Sequence, residues 1–257
     1  MEDIDAVFLD LDGTIYLGED LIEGALEFLN RCDKNGIKRF FLSNNSSKSV
    51  EQYVAKLQKL GIPAMKSDVL LSTHDLISWL HAFDYDRIYL VGTIGMQDML
   101  QDAGLTIDAG DPEIVVLGYD TEINYDKIST ASIHLHNGVP LVASHPDMVC
   151  PSPDGGLPDT GAYMALFEAT TGVRPIHVCG KPQPGMIRHK IEELKLLPER
   201  CAMIGDRLYT DMAMATRAGV KGILVLSGEA TRKDVEALGP DAEQMPTLIV
   251  NSVADLL

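Results

Sequence analysis

From Ile4 to Leu226 the chain alternates short β-rich runs with stretches of helical spacing, and this alternation leaves few architectures open. The first run, Ile4–Asp10, leads through a turn to a helix expected over Glu23–Asn35 and stopped by Gly36. A strand at Arg39–Ser43, a helix at Lys48–Leu60, a strand at Val69–Ser72 and a helix at His74–Ala82 follow. "FDYDRIYLVGTIG" opens a fresh unit, with strands at Arg87–Val91, Ile114–Leu117 and Leu141–Ser144 and helices at Met96–Ala103, Tyr125–His136 and Ala162–Thr171. The closing part reads as strand Ile176–Cys179, helix Pro184–Leu194, strand Cys201–Ile204, helix Asp211–Ala218, strand Gly222–Leu226 and a short βα tail. Strand–helix alternation of this kind predicts an α/β fold, with βα units laid around a parallel sheet. The Pro- and Gly-rich stretch His145–Gly161 reads as a long loop, and loops of that length inside a compact domain are usually functional or disordered.

In open α/β sheets ligands sit beyond the carboxyl ends of the strands, so the residues just past each predicted strand matter most. They are Asp10, Asp12, Gly13 and Thr14 after the first strand, and Ser43, Asn44 and Asn45 after the second. Lys181 follows "IHVCG", and Asp206 and then Asp211 follow "CAMIG". Turn chemistry alone favours Asp, Ser and Asn at such places, which is enough to explain any one of them. Together they bring acids, a hydroxyl and a lysine to one side of a sheet. Carboxylates gathered there repel one another unless a cation lies among them, and oxygen ligands select a hard cation such as Mg²⁺. One carboxylate could then attack phosphorus to give an aspartyl-phosphate, while a second protonates the leaving alcohol and later activates water. The hydroxyl and the lysine suit the phosphoryl oxygens as charge builds.

Lys plus Arg total 21 against 38 Asp plus Glu, a formal charge of −17, so no general basic field would gather a nucleic acid. A small anionic substrate needs only local positive charge. The acidic start, "MEDIDAVF", lacks the features of a signal peptide, and no apolar run reaches the ~18 residues of a membrane helix; cytoplasm is the expected location, with no membrane partner. Cys32, Cys150, Cys179 and Cys201 are scattered and read as free thiols. His134 and His136, two apart in a predicted helix, do not share a face and are not read as metal ligands; His74, His81, His177 and His189 read as ordinary surface or interface residues.

Four motifs in order, "DLDGT" (Asp10–Thr14), "FLSNNSS" (Phe41–Ser47), "GKPQP" (Gly180–Pro184) and "GDRLYTD" (Gly205–Asp211), resemble those of the haloacid dehalogenase superfamily over essentially the whole chain. The closest resemblance is to the type IIA phosphatases, which include 4-nitrophenylphosphatase-like and sugar- or nucleotide-phosphate hydrolases. The resemblance implies a Rossmann-like core at 1–79 and 179–257 with an inserted α/β cap at 80–178. It implies Asp10 as nucleophile and Mg²⁺ ligand, and Asp12 as general acid/base with its carbonyl on the metal. Asp206 would complete the protein ligands, and Asp211 would hold a metal-bound water or brace Lys181. Ser43, Asn44 and Lys181 would bind phosphate. The His145–Thr160 loop resembles the cap segment that reaches the substrate, with His145 standing where the subfamily often has Asn. His145 and Asp147 are therefore candidate substrate-binding residues, set against the plain alternatives of a surface histidine and an Asx-turn aspartate. Cap surfaces of such proteins can also form homodimer contacts.

The reading reached is a Mg²⁺-dependent phosphatase of a small phosphorylated metabolite (a sugar, polyol or nucleotide phosphate). The alternative is a phosphoacceptor or metabolite-binding protein on the same fold without significant hydrolase activity. A short receiver-type phosphoacceptor needs neither Asp12 nor an insertion of ~100 residues. A dehalogenase needs neither Asp12 nor a metal.

Overall fold

The computed structural model describes residues 3–152 and 154–257, which divide into two compact units. Of these described residues, the first comprises 3–43, 50–70 and 181–257, and the second 44–49, 71–152 and 154–180. In chain order the elements begin with β1 (Ala6–Asp10), the hairpin β2 (Tyr16–Leu17) and β3 (Asp20–Leu21), α1 (Ala25–Lys34), β4 (Lys38–Ser43), α2 (Val50–Lys59) and β5 (Val69–Leu71). Next come α3 (Ser72–Ala82), β6 (Arg87–Val91), α4 (Ile94–Asp102), β7 (Thr106–Ile107), β8 (Ile114–Leu117), α5 (Tyr125–His136) and β9 (Leu141–Ala143). The hairpin β10 (Val149–Cys150) and β11 (Leu157–Pro158), α6 (Thr160–Thr171) and β12 (His177–Val178) complete that middle stretch. The chain closes with α7 (Gly185–Leu194), β13 (Cys201–Gly205), a π-helical turn (Leu208–Met212), α8 (Ala213–Ala218), β14 (Lys221–Val225), α9 (Arg232–Glu236) and β15 (Leu248–Val250).

The first unit is built on a six-stranded sheet in the order β15-β14-β13-β1-β4-β5. β1 runs parallel to both its neighbours, β4 and β13, and all five of its residues are buried, as expected of a central strand covered on both faces. Ala6 and Phe8 pack with Met186, Ile187 and Ile191 of α7 and with Met214, Ala215 and Ala218 of α8, and the Phe8 and Phe40 rings stack at 5.4 Å. Chain order runs outward from β1 in opposite directions on its two sides, so β1 marks the switch point at which such sheets open a ligand crevice.

The second unit has a five-stranded parallel sheet, β12-β9-β8-β6-β7. One face buries Leu76 and Leu80 of α3 and Met96 and Leu100 of α4 against Ile88, Leu90, Ile114 and Val116. The other buries Ala131 and Leu135 of α5 and Phe167 of α6 against Val115, Leu117 and Ala143. Strand residues alternate between the two cores with period two, so both faces need covering. The stretch expected as one long loop, His145–Gly161, contains the β10–β11 hairpin, and α6 starts at Thr160 because Asp159 caps it through a bond from the Thr160 N–H. The helix expected from Asp211 instead begins as the π-helical turn, with the Met212 N–H reaching back to the Arg207 carbonyl. The described cysteines are all free. No helix among the described residues is long and apolar enough to cross a membrane.

Candidate active site

Sheet register brings the first group of motif residues to one edge. Leu9 pairs with Ile204 and Asp10 with Leu42, so Asp10 ends β1 while Asp206 and Ser43 stand at the neighbouring ends of β13 and β4. Lys181 precedes α7, and Asp211 lies in the π-helical turn after β13, a local widening often found at functional positions. Lys181 Nζ donates to Asp10 Oδ1 and, at 2.8 Å, to Asp211 Oδ1. One carboxylate oxygen from each of Asp10, Asp206 and Asp211 lies within 4.8 Å of the others.

Every member of this group is buried: Lys181 is 4% exposed, Asp206 3% and Asp211 0%. Burial, and then the neighbouring charges, control their titration. Loss of hydration pushes the Asp10 carboxyl up to about 7, with the Lys181 ammonium opposing and Asp211 and Asp206 adding to the rise. Asp206 is raised to about 6 by burial and then by Asp211. Burial works against the charged form of Lys181, yet Asp10 and Asp211 outweigh it and raise that pKa.

Asp206 is held by segments that the sequence reading left without a role. Its Oδ2 accepts the Glu229 N–H at 2.7 Å, and Ser227 Oγ donates to the Gly13 carbonyl at 2.7 Å, tying the β14–α9 connection to the turn after β1. Gly13 has φ +84°, and a Cβ there would lie 2.4 Å from Asp206 Oδ2; one on Gly228 would lie 2.0 Å from the same oxygen. Both glycines are required by this close approach. The signal for Gly228 and Glu229 was available, since "SGE" follows one more parallel strand, but no acid or lysine of a motif marks it.

Asp206 Oδ1 is buried and has no hydrogen-bond partner among the described residues. Three clustered carboxylates, a single ammonium bound among them and an unpartnered carboxylate oxygen form a hard, anionic donor set, which fits a divalent cation of the Mg²⁺ type. Asp12 is exposed and its carboxylate is not in this cluster. Ser43 Oγ lies 2.9 Å from the Tyr53 hydroxyl.

The other predicted residues form a group inside the second unit. Asn44 Nδ2 donates to both oxygens of Asp147, at 3.3 and 3.1 Å, and the Asn44 carbonyl accepts from Ser72 Oγ at 2.6 Å. His145 is fully buried, which overturns the surface-histidine alternative. Its Nε2 donates to the Asp159 carboxylate at 2.9 Å, and its Nδ1 meets Ser144 Oγ at 2.9 Å. Ser144 in turn meets Ser46 Oγ at 3.0 Å. The Asp159 partner comes from the far end of the hairpin segment, so a loop reading of "HPD" could not expose this burial. Replacing His145 by Ala should leave Asp159 short of a donor and open a cavity, costing about 2–4 kcal/mol in a denaturant titration. A loss under about 0.5 kcal/mol, the range of ordinary surface positions, would show that the network carries no stability.

A family model described as haloacid dehalogenase-like hydrolase matches residues 7–106, and one described as HAD-hydrolase-like matches residues 178–256. The chain belongs to the haloacid dehalogenase-like hydrolase family, in its type IIA branch. Its relatives group it with the phosphatases of that family. An acid sugar phosphatase of Staphylococcus epidermidis is 33% identical over 241 residues, 92% of each chain. The crystal structure of a 4-nitrophenylphosphatase from Thermotoga maritima superposes with a TM-score of 0.92 at 38% identity, covering 99% of this chain and 96% of the other. A glycerol phosphate phosphatase of Mycobacterium tuberculosis, solved in complex with magnesium, gives 0.91 at 28% identity, covering 99% and 77%.

Proposed function

We propose that the protein is a magnesium-dependent phosphomonoesterase that hydrolyses a small phosphorylated metabolite, a sugar, polyol or nucleotide phosphate, through an aspartyl-phosphate. The observation that carries this reading is Lys181 bound to both Asp10 and Asp211 beside the unpartnered oxygen of Asp206. The names of the staphylococcal and mycobacterial relatives favour sugar and polyol phosphates within that range. Asp10, Asp206, Asp211 and the backbone carbonyl of Asp12 are the groups that would hold the ion. When bound, it supplies charge neutralisation for the carboxylates and the phosphoryl group.

An oxygen of Asp10 attacks phosphorus, and the bond from phosphorus to the substrate alcohol breaks as Asp12 delivers a proton to the leaving oxygen. Water then attacks the same phosphorus, Asp12 takes its proton, and the bond to Asp10 breaks to release inorganic phosphate. Lys181 offsets the negative charge on Asp10 and on the phosphoryl oxygens, and Ser43 donates to one of those oxygens. Asn44 is the further phosphate-binding group. The inserted second unit serves as the cap that selects the substrate, with Asp147 among its selecting residues and His145 holding their loop.

Release of inorganic phosphate from a panel of sugar, polyol and nucleotide phosphates tests the reading directly; no release from any of them, or from 4-nitrophenyl phosphate, overturns it. Asp12→Asn refines the test. It should lower kcat by about 10²–10⁴-fold on an alkyl phosphate, as loss of a general acid does, while Mg²⁺ affinity by calorimetry is retained. The first half-reaction with 4-nitrophenyl phosphate, whose leaving group needs no proton, should suffer less. Equal losses in the first half-reaction on both substrates, or lost Mg²⁺ binding, would remove Asp12 from the acid/base role.

A further inference from the structure

The phenol of Tyr53 and the hydroxyl of Ser43 are 2.9 Å apart, and both residues belong to the first unit. Tyr53 lies on α2 and is 5% exposed. Ser43 ends β4, one residue beyond the Leu42 that pairs with Asp10, so it stands at the same sheet edge as the nucleophile of the proposed reaction. Either hydroxyl of this pair can donate, and the greater acidity of a phenol over an aliphatic alcohol favours the arrangement in which Tyr53 donates and Ser43 Oγ accepts. A serine that accepts from Tyr53 turns its own hydrogen away from Tyr53. An aliphatic hydroxyl with one side fixed in this way loses much of its rotational freedom before substrate arrives.

A second tyrosine ties this pair to the acids of the first motif. The Tyr16 phenol holds its proton more tightly than usual, through burial first and then through the proximity of Tyr53, Asp12 and Asp10. The Tyr16 ring is covered by the Lys56 ammonium, 3.8 Å from its centroid, and Lys56 is on the same helix as Tyr53. Helix α2 therefore delivers a phenol and an ammonium to the edge of the sheet at which β1 and β4 end.

We propose that Tyr53 is a positioning residue for phosphoryl transfer, orienting the Ser43 hydroxyl so that its hydrogen is directed at a phosphoryl oxygen. The inference rests on the phosphatase reading above. Tyr53→Phe deletes one oxygen and keeps the ring that α2 buries. It should lower kcat/KM on 4-nitrophenyl phosphate by about tenfold, mostly in kcat, as loss of a contact that tightens in the transition state does. In a Ser43→Ala background the same change should cost less than about twofold, because the group that Tyr53 orients is gone. Binding of orthovanadate should follow the same pattern, weakened by Tyr53→Phe alone and indifferent to it once Ser43 is Ala.

A purely structural tyrosine would give equal losses in both backgrounds, and that result overturns the proposal. So does a loss below about twofold from Tyr53→Phe alone, given that the assay resolves effects of that size. If Asp10→Asn is inactive in the same assays while Tyr53→Phe matches wild type, the phosphatase reading stands and the positioning role falls. If the unaltered protein hydrolyses nothing and binds no orthovanadate, the reading and the inference fall together.

Discussion

Asp10→Asn is expected to lower steady-state hydrolysis by about 10⁴-fold or more while the protein remains folded, the size of effect seen when a catalytic nucleophile is removed. An amide oxygen carries no negative charge with which to attack phosphorus, and it forms no stable acyl-phosphate. Folding should survive for an electrostatic reason. Asp10 is a desolvated carboxyl beside two others, and Lys181 keeps its 2.8 Å bond to Asp211 when Asp10 becomes neutral. Loss of one buried like charge offsets the loss of one partner of the lysine. The check is phosphate release together with a thermal melt: an inactive variant with a melting temperature within a few degrees of wild type supports the assignment. Turnover near the wild-type rate removes Asp10 as nucleophile.

Withdrawal of divalent cations is the second large effect. EDTA treatment should abolish hydrolysis, and Mg²⁺ should restore it; activity that persists without metal contradicts the site. The same carboxylates predict how the ion changes stability with pH. Asp10 rises from the ordinary aspartate value of 3.8 to about 7 in the folded chain, and Asp206 to about 6. For an acid raised on folding, the native state binds more protons than the unfolded state between the two values. The metal-free protein should therefore lose stability as pH climbs from about 4 to about 7, with no further loss from these groups above that window. Protons and Mg²⁺ compete for the same oxygens, so the increase in melting temperature on adding Mg²⁺ should be small near pH 5 and larger near pH 7.5. An increment that is equal at both pH values would show that these carboxylates do not hold the ion.

Much of the architecture was legible because the relevant signals are local. Arg87–Val91, Ile114–Leu117 and Tyr125–His136 coincide with the observed elements residue for residue, since each is an apolar run or a helical repeat bounded by turn residues. The convergence of Asp10 and Asp206 was legible for a different reason: both follow strands of one parallel sheet, which aligns its carboxyl ends, and Asp211 lies in the turn after the second of them. The expectation that a strand of that same sheet delivers Lys181 is corrected by the structure, because β12, the strand before it, pairs in the second unit's sheet, and Lys181 reaches the acids from the segment that leads into α7. What stayed hidden depends on pairings across distance. The two-residue strands of the β2–β3 and β10–β11 hairpins are too short to show alternation. The burial of His145 depends on Asp159, and the grip on Asp206 depends on the backbone of Glu229, which no side-chain motif encodes. The π-helical turn at Leu208–Met212 carries an ordinary helical pattern, and only its longer hydrogen bonds distinguish it.

The two glycines that crowd Asp206 have a consequence for redesign. Any side chain at position 13 or 228 would meet the carboxylate at 2.4 or 2.0 Å, so both positions are closed to diversification. A mutant library meant to shift which phosphate ester is accepted gains nothing from randomising them; each variant there displaces the Asp206 carboxylate before it encounters a new substrate. Room for adaptation has to come from segments whose backbone does not press against the clustered acids.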